Sequence, residues 1–365
     1  MFRPSLKAIT AAASVGALAA ALAACSSSGS SSTASGSSAT GSNAAAVSGM
    51  PTVSLMVGGI DKQIYLPYQL AQDLGFYKKY GVNVQLSTEQ NGGVGAETAM
   101  ASGQVDMAGA WYVHTIDFQQ KGKNVVDVVQ LSGAPGEREM CATGSKVQSP
   151  AQWVGKTVGV TDLGSGTDNL TVYLAARNHL STKQFSRVGV GAGDTFVAAL
   201  QHARIVCGMT SQPTAGAVQS RGIGYSAINL ASTAGAQQWL GGVYPAAGVL
   251  AQASWVNSHK AIVQKVVDAL VATMHWINTH TAAQIANAMP AGFVSNGLTT
   301  KTAYIAELAQ DKGQFLPDGM MPTSGPATAL AIDKFAGNVT GPVNLAATYT
   351  NAYAIAANKV EGYTK

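Results

Sequence analysis

Residues 67–86 read PYQLAQDLGFYKKYGVNVQL, and this stretch joins a helical pattern to a strand pattern. From Leu66 to Lys79 the apolar residues recur at the spacing of one helix face, and Gly81 is a typical helix stop. Val82–Leu86 then alternates apolar and polar residues, as a half-buried strand does. A helix followed at once by a strand predicts an α/β fold.

The same alternation continues on both sides of this stretch. The other strands predicted in this first unit are Val53–Val57, Met107–Ala110 and Val125–Leu131, and its helices are Gly93–Ser102 and Tyr112–Gln120. After Cys141 the alternation restarts, with strands at Thr157–Thr161, Arg187–Val190 and Ile205–Met209 and helices at Thr167–His179, Thr195–Gln201 and Gln212–Gln219. Strands that alternate with helices predict parallel sheets covered on both faces. Two successive units of this kind predict two lobes.

The pattern changes to longer helices towards the C-terminus. These are predicted at Lys260–His280, Thr281–Ala288 and Thr302–Lys312. If they pack back on the first lobe, that lobe is discontinuous. We therefore predict lobe 1 from residues 50–136 and 243–365 and lobe 2 from residues 137–242, with a hinge where the chain crosses between them near Gly133–Cys141 and Ile228–Tyr244.

Four blocks of sequence carry a family likeness. They are residues 67–84 of the opening stretch, ASGQVDMA at 101–108, WVGKTVGV at 153–160, and residues 198–213 from AAL to SQP. In these blocks and their order the chain resembles the nitrate/sulfonate/taurine-type and THI5-like solute-binding proteins over nearly the whole body. The resemblance implies a type II periplasmic-binding-protein-like fold, an α/β fold with a ligand cleft between two lobes. Ala203, Val206 and Gln212 depart from the Gly, Asp and Glu that are usual in the family.

The N-terminus has the pattern of a lipoprotein signal peptide at residues 1–25. Arg3 and Lys7 precede an apolar Ala/Leu-rich run, and Leu22-Ala23-Ala24-Cys25 closes it as a lipobox. Residues 26–49 are rich in Ser and Gly, a composition typical of a flexible tether. We expect Cys25 to be lipidated; cleavage of an Ala-rich leader without lipidation is the alternative.

Composition argues against nucleic acid as a partner. Lys and Arg total 22 and Asp and Glu 18, and removal of Arg3 and Lys7 with the leader leaves 20 basic residues. This near balance provides no electrostatic basis for binding phosphates. With the resemblance, the leader predicts a lipid-anchored protein on the extracytoplasmic face of the cell membrane. Its partners would be a small organic solute and the permease and ATPase of an ABC importer.

One candidate ligand contact is the segment Gly164-Ser165-Gly166-Thr167, which opens a predicted helix. Backbone N–H groups at a helix N-terminus attract a carboxylate, sulfonate or phosphate. Capping of the helix by Thr167 or Asp168 is the alternative interpretation, and the negative charge of Asp168 weakens the case for an anion.

The other candidate contacts lie at predicted strand ends or crossings. Trp111 and Tyr112 follow a strand of lobe 1, where open α/β sheets bind ligands. The full set predicted to line the cleft adds Asp61, Tyr65, Arg138, Gln212 and Tyr244. Packing inside the lobe is the alternative for Tyr65 and Trp111. An ion pair with Glu137, Glu139 or another surface acid is the alternative for Arg138.

We predict no catalytic residue, cofactor or metal. The sequence contains no G-x-S-x-G, H-E-x-x-H or S-x-x-K motif, and its histidines are scattered. A THI5-like pyrimidine-precursor enzyme and a lipid-anchored sensor module remain the alternative functions. Cys141 and Cys207 follow the leader into an oxidising compartment, where a disulfide between them is possible; two buried free thiols are the alternative.

Overall fold

The computed structural model describes residues 49–90 and 92–363. The predicted leader, Cys25 and the tether, apart from Gly49, therefore lie outside the described residues. The strands are β1 (Thr52–Val57), β2 (Asn83–Thr88), β3 (Met107–Trp111), β4 (Val125–Gln130), β5 (Glu137–Ala142), β6 (Thr157–Val160), β7 (Ser186–Gly189), β8 (Cys207–Ser211), β9 (Gly224–Asn229) and β10 (Ala247–Gln252).

The helices cover the sheets and fill the C-terminal part of the chain. They are α1 (Leu66–Asp73), α2 (Phe76–Lys79), α3 (Val94–Ala101), α4 (Val113–Gln120), α5 (Gly166–Arg177), α6 (Asp194–Gln201), α7 (Thr214–Ser220), α8 (Thr233–Leu240), α9 (Ala253–Ser258), α10 (Lys260–Thr279), α11 (Ala282–Ala288), α12 (Ala291–Val294), α13 (Lys301–Asp311), α14 (Gly325–Ala336) and α15 (Ala352–Val360). None of the helices in the described ranges has the length and hydropathy needed to cross a bilayer.

Two five-stranded sheets define the two lobes. Lobe 1 is built on the strand order β2-β1-β3-β10-β4 and lobe 2 on β7-β6-β8-β5-β9. Four strands of each sheet run in the same direction. The fifth, β10 in lobe 1 and β5 in lobe 2, runs antiparallel to both of its neighbours. The prediction of purely parallel sheets was therefore wrong at these two strands.

The antiparallel direction of β5 and β10 is explained by where the chain crosses from one lobe to the other. It leaves lobe 1 after β4 and enters lobe 2 at β5, and it returns from β9 to β10. Each entering strand starts at the edge where the parallel strands end, because Glu137 pairs with Ser211 and Ala247 pairs with Trp111. Such a strand must run away from that edge. Sequence alternation alone carries no information on this direction.

The two crossings run side by side. The backbone N–H of Tyr244 donates to the carbonyl oxygen of Gly133 at 3.1 Å. The backbone N–H of Ala247 donates to the Ser132 hydroxyl at 2.9 Å. The first crossing ends where β5 begins, at Glu137, so the prediction that it reaches Cys141 was wrong. The strand is buried at all but its last residue.

Gly75 divides the helix that the opening stretch predicts. It adopts a left-handed conformation with φ of +71°, which residues with a Cβ rarely adopt. The structure therefore has two helices, α1 and α2, where the apolar spacing from Leu66 to Lys79 predicted one.

The C-terminal helices contact both lobes. Helix α10 packs on α1, α2 and β4 of lobe 1, whereas α14 packs on both α4 of lobe 1 and α5 of lobe 2. The strands of the two sheets fall on the expected sides of the crossings. The exact boundaries at residues 136, 137, 242 and 243 stay a prediction.

A disulfide links Cys141 of β5 to Cys207 of β8, which face each other in the antiparallel pair. A ligand atom of the Glu139 carboxylate and the two sulfur atoms lie within 4.8 Å of one another. Metal binding by this group would require cysteine thiolates, which a disulfide does not offer.

We expect the disulfide to stabilise the fold by about 4 kcal/mol, because a link across 66 residues of sequence restricts the unfolded chain. The measurement is the free energy of unfolding of the same protein in urea, with and without a reductant. Alkylation before reduction serves as the control. Two alkylatable thiols in the untreated protein, by mass spectrometry, would contradict this prediction.

Candidate functional site

The two lobes meet at the carboxyl ends of their parallel strands. There the backbone N–H of Gln63 in lobe 1 donates to the carbonyl oxygen of Gln212 in lobe 2 at 3.0 Å. The ring of Trp111 lies against the backbone of Gly166, where an added Cβ would be 2.7 Å from Cδ2 of the ring. The cleft between the lobes is therefore closed in this structure.

Five buried side chains lie together in the closed cleft, and we call them the cleft cluster: Lys62, Tyr65, Trp111, Glu137 and Tyr244. The rings of Trp111 and Tyr244 meet edge to face with centroids 6.0 Å apart. The hydroxyl of Tyr65 lies near the Trp111 side chain, and the Lys62 ammonium lies 5.8 Å from the Tyr65 ring. The charge of Glu137 acts on both Lys62 and Tyr65.

The aromatic members come from three separate parts of the chain. Trp111 is the last residue of β3, Tyr65 precedes α1, and Tyr244 lies in the second crossing. The hydroxyl of Tyr244 is buried and has no hydrogen-bond partner among the described residues. These three predicted site residues therefore form one aromatic wall with an unused polar group.

Two charged members of the cluster were missed by sequence reasoning. Burial lowers the pKa of Lys62, and the charge of Glu137 opposes that shift. The Lys62 ammonium donates to the carbonyl oxygen of Gly58 at 2.8 Å. Burial raises the pKa of Glu137 to about 7, against the charges of Lys62 and Arg138. A charged residue directly after a lobe crossing was the sequence signal for Glu137.

Ser211 extends the polar side of the cleft. It is the last residue of β8 and pairs with Glu137 across the sheet. The Ser211 hydroxyl and the Oε2 atom of Glu137 are both buried, and neither has a hydrogen-bond partner in the described part of the chain. Buried polar atoms are normally satisfied, so unpaired atoms at an interlobe surface indicate a place for a bound molecule or water.

The N-terminus of α5 satisfies its own polar groups. The Ser165 hydroxyl accepts from the backbone N–H of Asp168 at 3.4 Å, and the Asp168 carboxylate accepts from the backbone N–H of Gly164 at 2.8 Å. Arg187 forms an ion pair with Asp168. The Thr167 hydroxyl accepts from a backbone N–H at 3.0 Å. This geometry favours helix capping over capture of an anion at this end.

The structure places Tyr112 and Arg138 apart from the cleft cluster. The hydroxyl of Tyr112 lies 2.6 Å from the hydroxyl of Thr348, inside lobe 1. The guanidinium of Arg138 donates to both carboxylate oxygens of Asp311, at 2.7 and 2.6 Å, and both side chains are buried. These residues already have protein partners, so their predicted contact with a ligand has no support from the structure.

Asp61 and Gln212 lie at the edge of the cleft. The Asp61 carboxylate is half-buried and its charge acts on Lys62. The side-chain oxygen of Gln212 accepts from the backbone N–H of Gly216 at 2.8 Å, in the first turn of α7. The amide of Gln212 is therefore engaged with its own helix, while its backbone bridges the lobes.

A second buried cluster lies beside the cleft. His114 of α4 has Nε2 at 3.4 Å from Glu97 and Nδ1 at 3.0 Å from Asp117. Burial alone would lower the pKa of His114, but the two carboxylates outweigh it and raise the pKa to about 9. A cavity of about 200 Å³ separates these groups from Leu163 and Gly164 of lobe 2. The charge of Glu97 also acts on Tyr65, so this second cluster lies next to the cleft cluster at the interlobe boundary.

Comparison with protein families found one matching model. It is described as NMT1/THI5 like and matches residues 64–284 of this chain. Comparison with curated protein sequences found no match.

Comparison with solved structures found the same architecture in many proteins. A protein from Bordetella bronchiseptica RB50 is similar with a TM-score of 0.79 and 27% identity, over 85% of this chain and 98% of that one. The alkanesulfonate-binding protein SsuA from Xanthomonas axonopodis pv. citri, bound to MOPS, has a TM-score of 0.66 and 16% identity, over 83% and 99%. The periplasmic nitrate-binding protein NrtA from Synechocystis PCC 6803 has a TM-score of 0.66 and 15% identity, over 85% and 89%. These likenesses confirm the predicted two-lobed, periplasmic-binding-protein-like fold.

Proposed function

The chain belongs to the NMT1/THI5-like family, and from this premise we propose that it is the extracytoplasmic solute-binding protein of an ABC importer. It would capture a small organic solute between its lobes and deliver it to a permease driven by an ATPase. The observation that carries the proposal is the closed cleft, in which an aromatic wall meets buried polar atoms without partners. Such a surface suits a ligand that both lobes enclose.

Lobe closure is the proposed mechanism. Two adjacent crossings join the lobes, and a hinge of this kind needs backbone changes at only a few residues. Trp111 belongs to lobe 1 and Ser211 to lobe 2, so a solute held between them makes its full set of contacts only in the closed form. That difference in affinity shifts the equilibrium towards closure, and the closed form is what the permease would recognise.

We propose binding rather than catalysis in the cleft. A serine nucleophile needs an adjacent general base, and the Ser211 hydroxyl has no hydrogen-bond partner among the described residues. The two solved structures that are named for an alkanesulfonate and for nitrate share the fold. The charge of the ligand, however, depends on the residues of this cleft, and it has to be inferred from them.

The proposal is tested on protein that has been unfolded, washed free of solute and refolded with its disulfide intact. After dialysis against yeast extract, we expect a smaller radius of gyration by small-angle X-ray scattering. A retained solute at about a hundredfold its dissociation constant should raise the free energy of unfolding by about 2.7 kcal/mol. Trp111→Ala should weaken both responses because it removes part of the aromatic wall. If yeast extract changes neither quantity, the proposed function is wrong.

We further propose that Cys25 carries the lipid that holds the protein at the membrane. Cys25→Ala should move the protein from the membrane fraction to the soluble fraction, because a protein without the lipid loses its anchor. Immunoblots of fractionated cells measure this distribution, and Ser27→Ala in the adjoining segment is the matched control. A cleaved Cys25→Ala protein that still sediments with membranes would rule out this anchor.

A further inference from the structure

Glu137 is a buried carboxylate with unused hydrogen-bonding capacity inside the cleft. Its side chain is 3% exposed, and its Oε2 atom has no hydrogen-bond partner among the described residues. Ser211, directly opposite on the neighbouring strand, also holds an unpaired hydroxyl. A buried carboxylate oxygen without a donor is costly, so a donor that enters the closed cleft would be stabilised there.

The charges around the cleft cluster favour a positively charged group on the ligand. Three carboxylates, those of Glu137, Asp61 and Glu89, act on the ammonium of Lys62. The charge of Arg138 also acts on Glu137, but Arg138 is paired with the carboxylate of Asp311. The Lys62 ammonium is itself engaged with the carbonyl oxygen of Gly58. The electrostatic surroundings of the cluster are therefore negative, and an entering cation is attracted whereas an entering anion is repelled.

The N-terminus of α5, which could hold an anion, is already capped by side chains of the protein. The first turn of α5 is capped by Ser165, and the Asp168 carboxylate lies at the same helix end, where it accepts from Gly164. An anionic ligand at this helix end would meet the carboxylate of Asp168 at close range. The N-terminus of α5 therefore does not supply the charge that a sulfonate or carboxylate ligand would require.

We propose that the solute carries a protonated or N–H-donating nitrogen head group, which binds Glu137 and Ser211, and a flat apolar body, which packs against Trp111, Tyr65 and Tyr244. This inference rests on the proposed function and narrows it to a class of solute. A carboxylate binds a charged donor more strongly than a neutral one. Aromatic side chains bind flat and cationic groups on their faces. Basic aromatic solutes combine both requirements.

The test compares three forms of the full chain: wild type, Glu137→Gln and Glu139→Gln. Glu139 is the matched control because it lies on the same face of β5, equally buried, but beside the disulfide. Burial raises the pKa of Glu139 well above its usual range, and the amide keeps the size and polarity of the side chain. Each protein is stripped, refolded, dialysed against yeast extract and washed, and the retained solutes are identified by mass spectrometry.

We expect wild type and Glu139→Gln to retain solutes with a basic or N–H-donating nitrogen, and Glu137→Gln to retain at least about tenfold less of them, as expected for one lost charged hydrogen bond. Retained solutes that are sulfonates or carboxylates without such a nitrogen would overturn the head-group inference and leave the solute-binding function standing. Equal retention by Glu137→Gln would also overturn it. If wild type retains no solute, the proposed function fails, and the inference fails with it.

Discussion

Gly166→Ala is expected to weaken solute binding by about a hundredfold, or about 2.7 kcal/mol, without unfolding either lobe. The added Cβ would lie 2.7 Å from both Cδ2 and Cζ3 of Trp111, and closer still to Cε3. Trp111 is the last residue of β3 and its side chain is buried, so the ring cannot move aside freely. The methyl group therefore holds the lobes apart and removes the contacts that exist only in the closed form.

The variant should keep its fold because Gly166 is the first residue of α5 and alanine favours helices more than glycine does. Gly292→Ala is the matched control, since a Cβ at Gly292 meets no atom within 4 Å. Small-angle X-ray scattering should give Gly166→Ala a larger radius of gyration than both wild type and the control after dialysis against yeast extract. Equal radii together with equal solute retention would mean that Trp111 and Gly166 do not form the closing contact.

The sequence predicted the elements well where local patterns decide them. The strand at Val53–Val57 appears as β1 from Thr52 to Val57, and the helix predicted at Lys260–His280 appears as α10 from Lys260 to Thr279. Periodicity suffices in both cases because the buried side chains lie within one continuous segment. It did not predict β10 as a strand, and it carries no information on the direction of β5 and β10, which depends on the end of the lobe at which the chain enters.

The sequence predicted only part of the candidate site, because local patterns do not show which distant residues come together. Trp111 was found because strand ends in open α/β sheets line binding sites, a rule that needs only the position of the strand. The sequence indicates Glu137 only as a possible ion-pair partner of Arg138, which is the predicted ligand contact. Arg138 instead binds Asp311, 173 positions further along the chain, and no local pattern indicates such a partner. The burial of Glu137 became visible only once β5 was placed between two strands.

The buried pair of Arg138 and Asp311 should make a large contribution to stability. Arg138 lies at the start of β5, and Asp311 lies beside the segment that packs on the first crossing, where the carbonyl oxygen of Gln314 accepts from Gly133. Arg138→Ala leaves Asp311 buried without its partner, close to the acidic side chain of Glu307. We expect a loss of about 3–5 kcal/mol in the free energy of unfolding, measured in urea at pH 8.

The pH dependence of the free energy of unfolding distinguishes an electrostatic cause of this loss from a loss of packing. Burial raises the pKa of Asp311, and the hydrogen bonds and charge of Arg138 oppose that shift, so Arg138→Ala should raise the pKa further. An acid whose pKa is higher in the folded protein than in the unfolded chain adds to the free energy of unfolding at a pH below its unfolded-state pKa. This contribution is lost as the pH rises through the folded-state pKa. The deficit of Arg138→Ala should therefore be smaller at pH 5 than at pH 8. A double variant, Arg138→Met with Asp311→Leu, should recover most of the loss because it leaves no buried charge. A deficit that is independent of pH and persists in the double variant would assign the effect to packing.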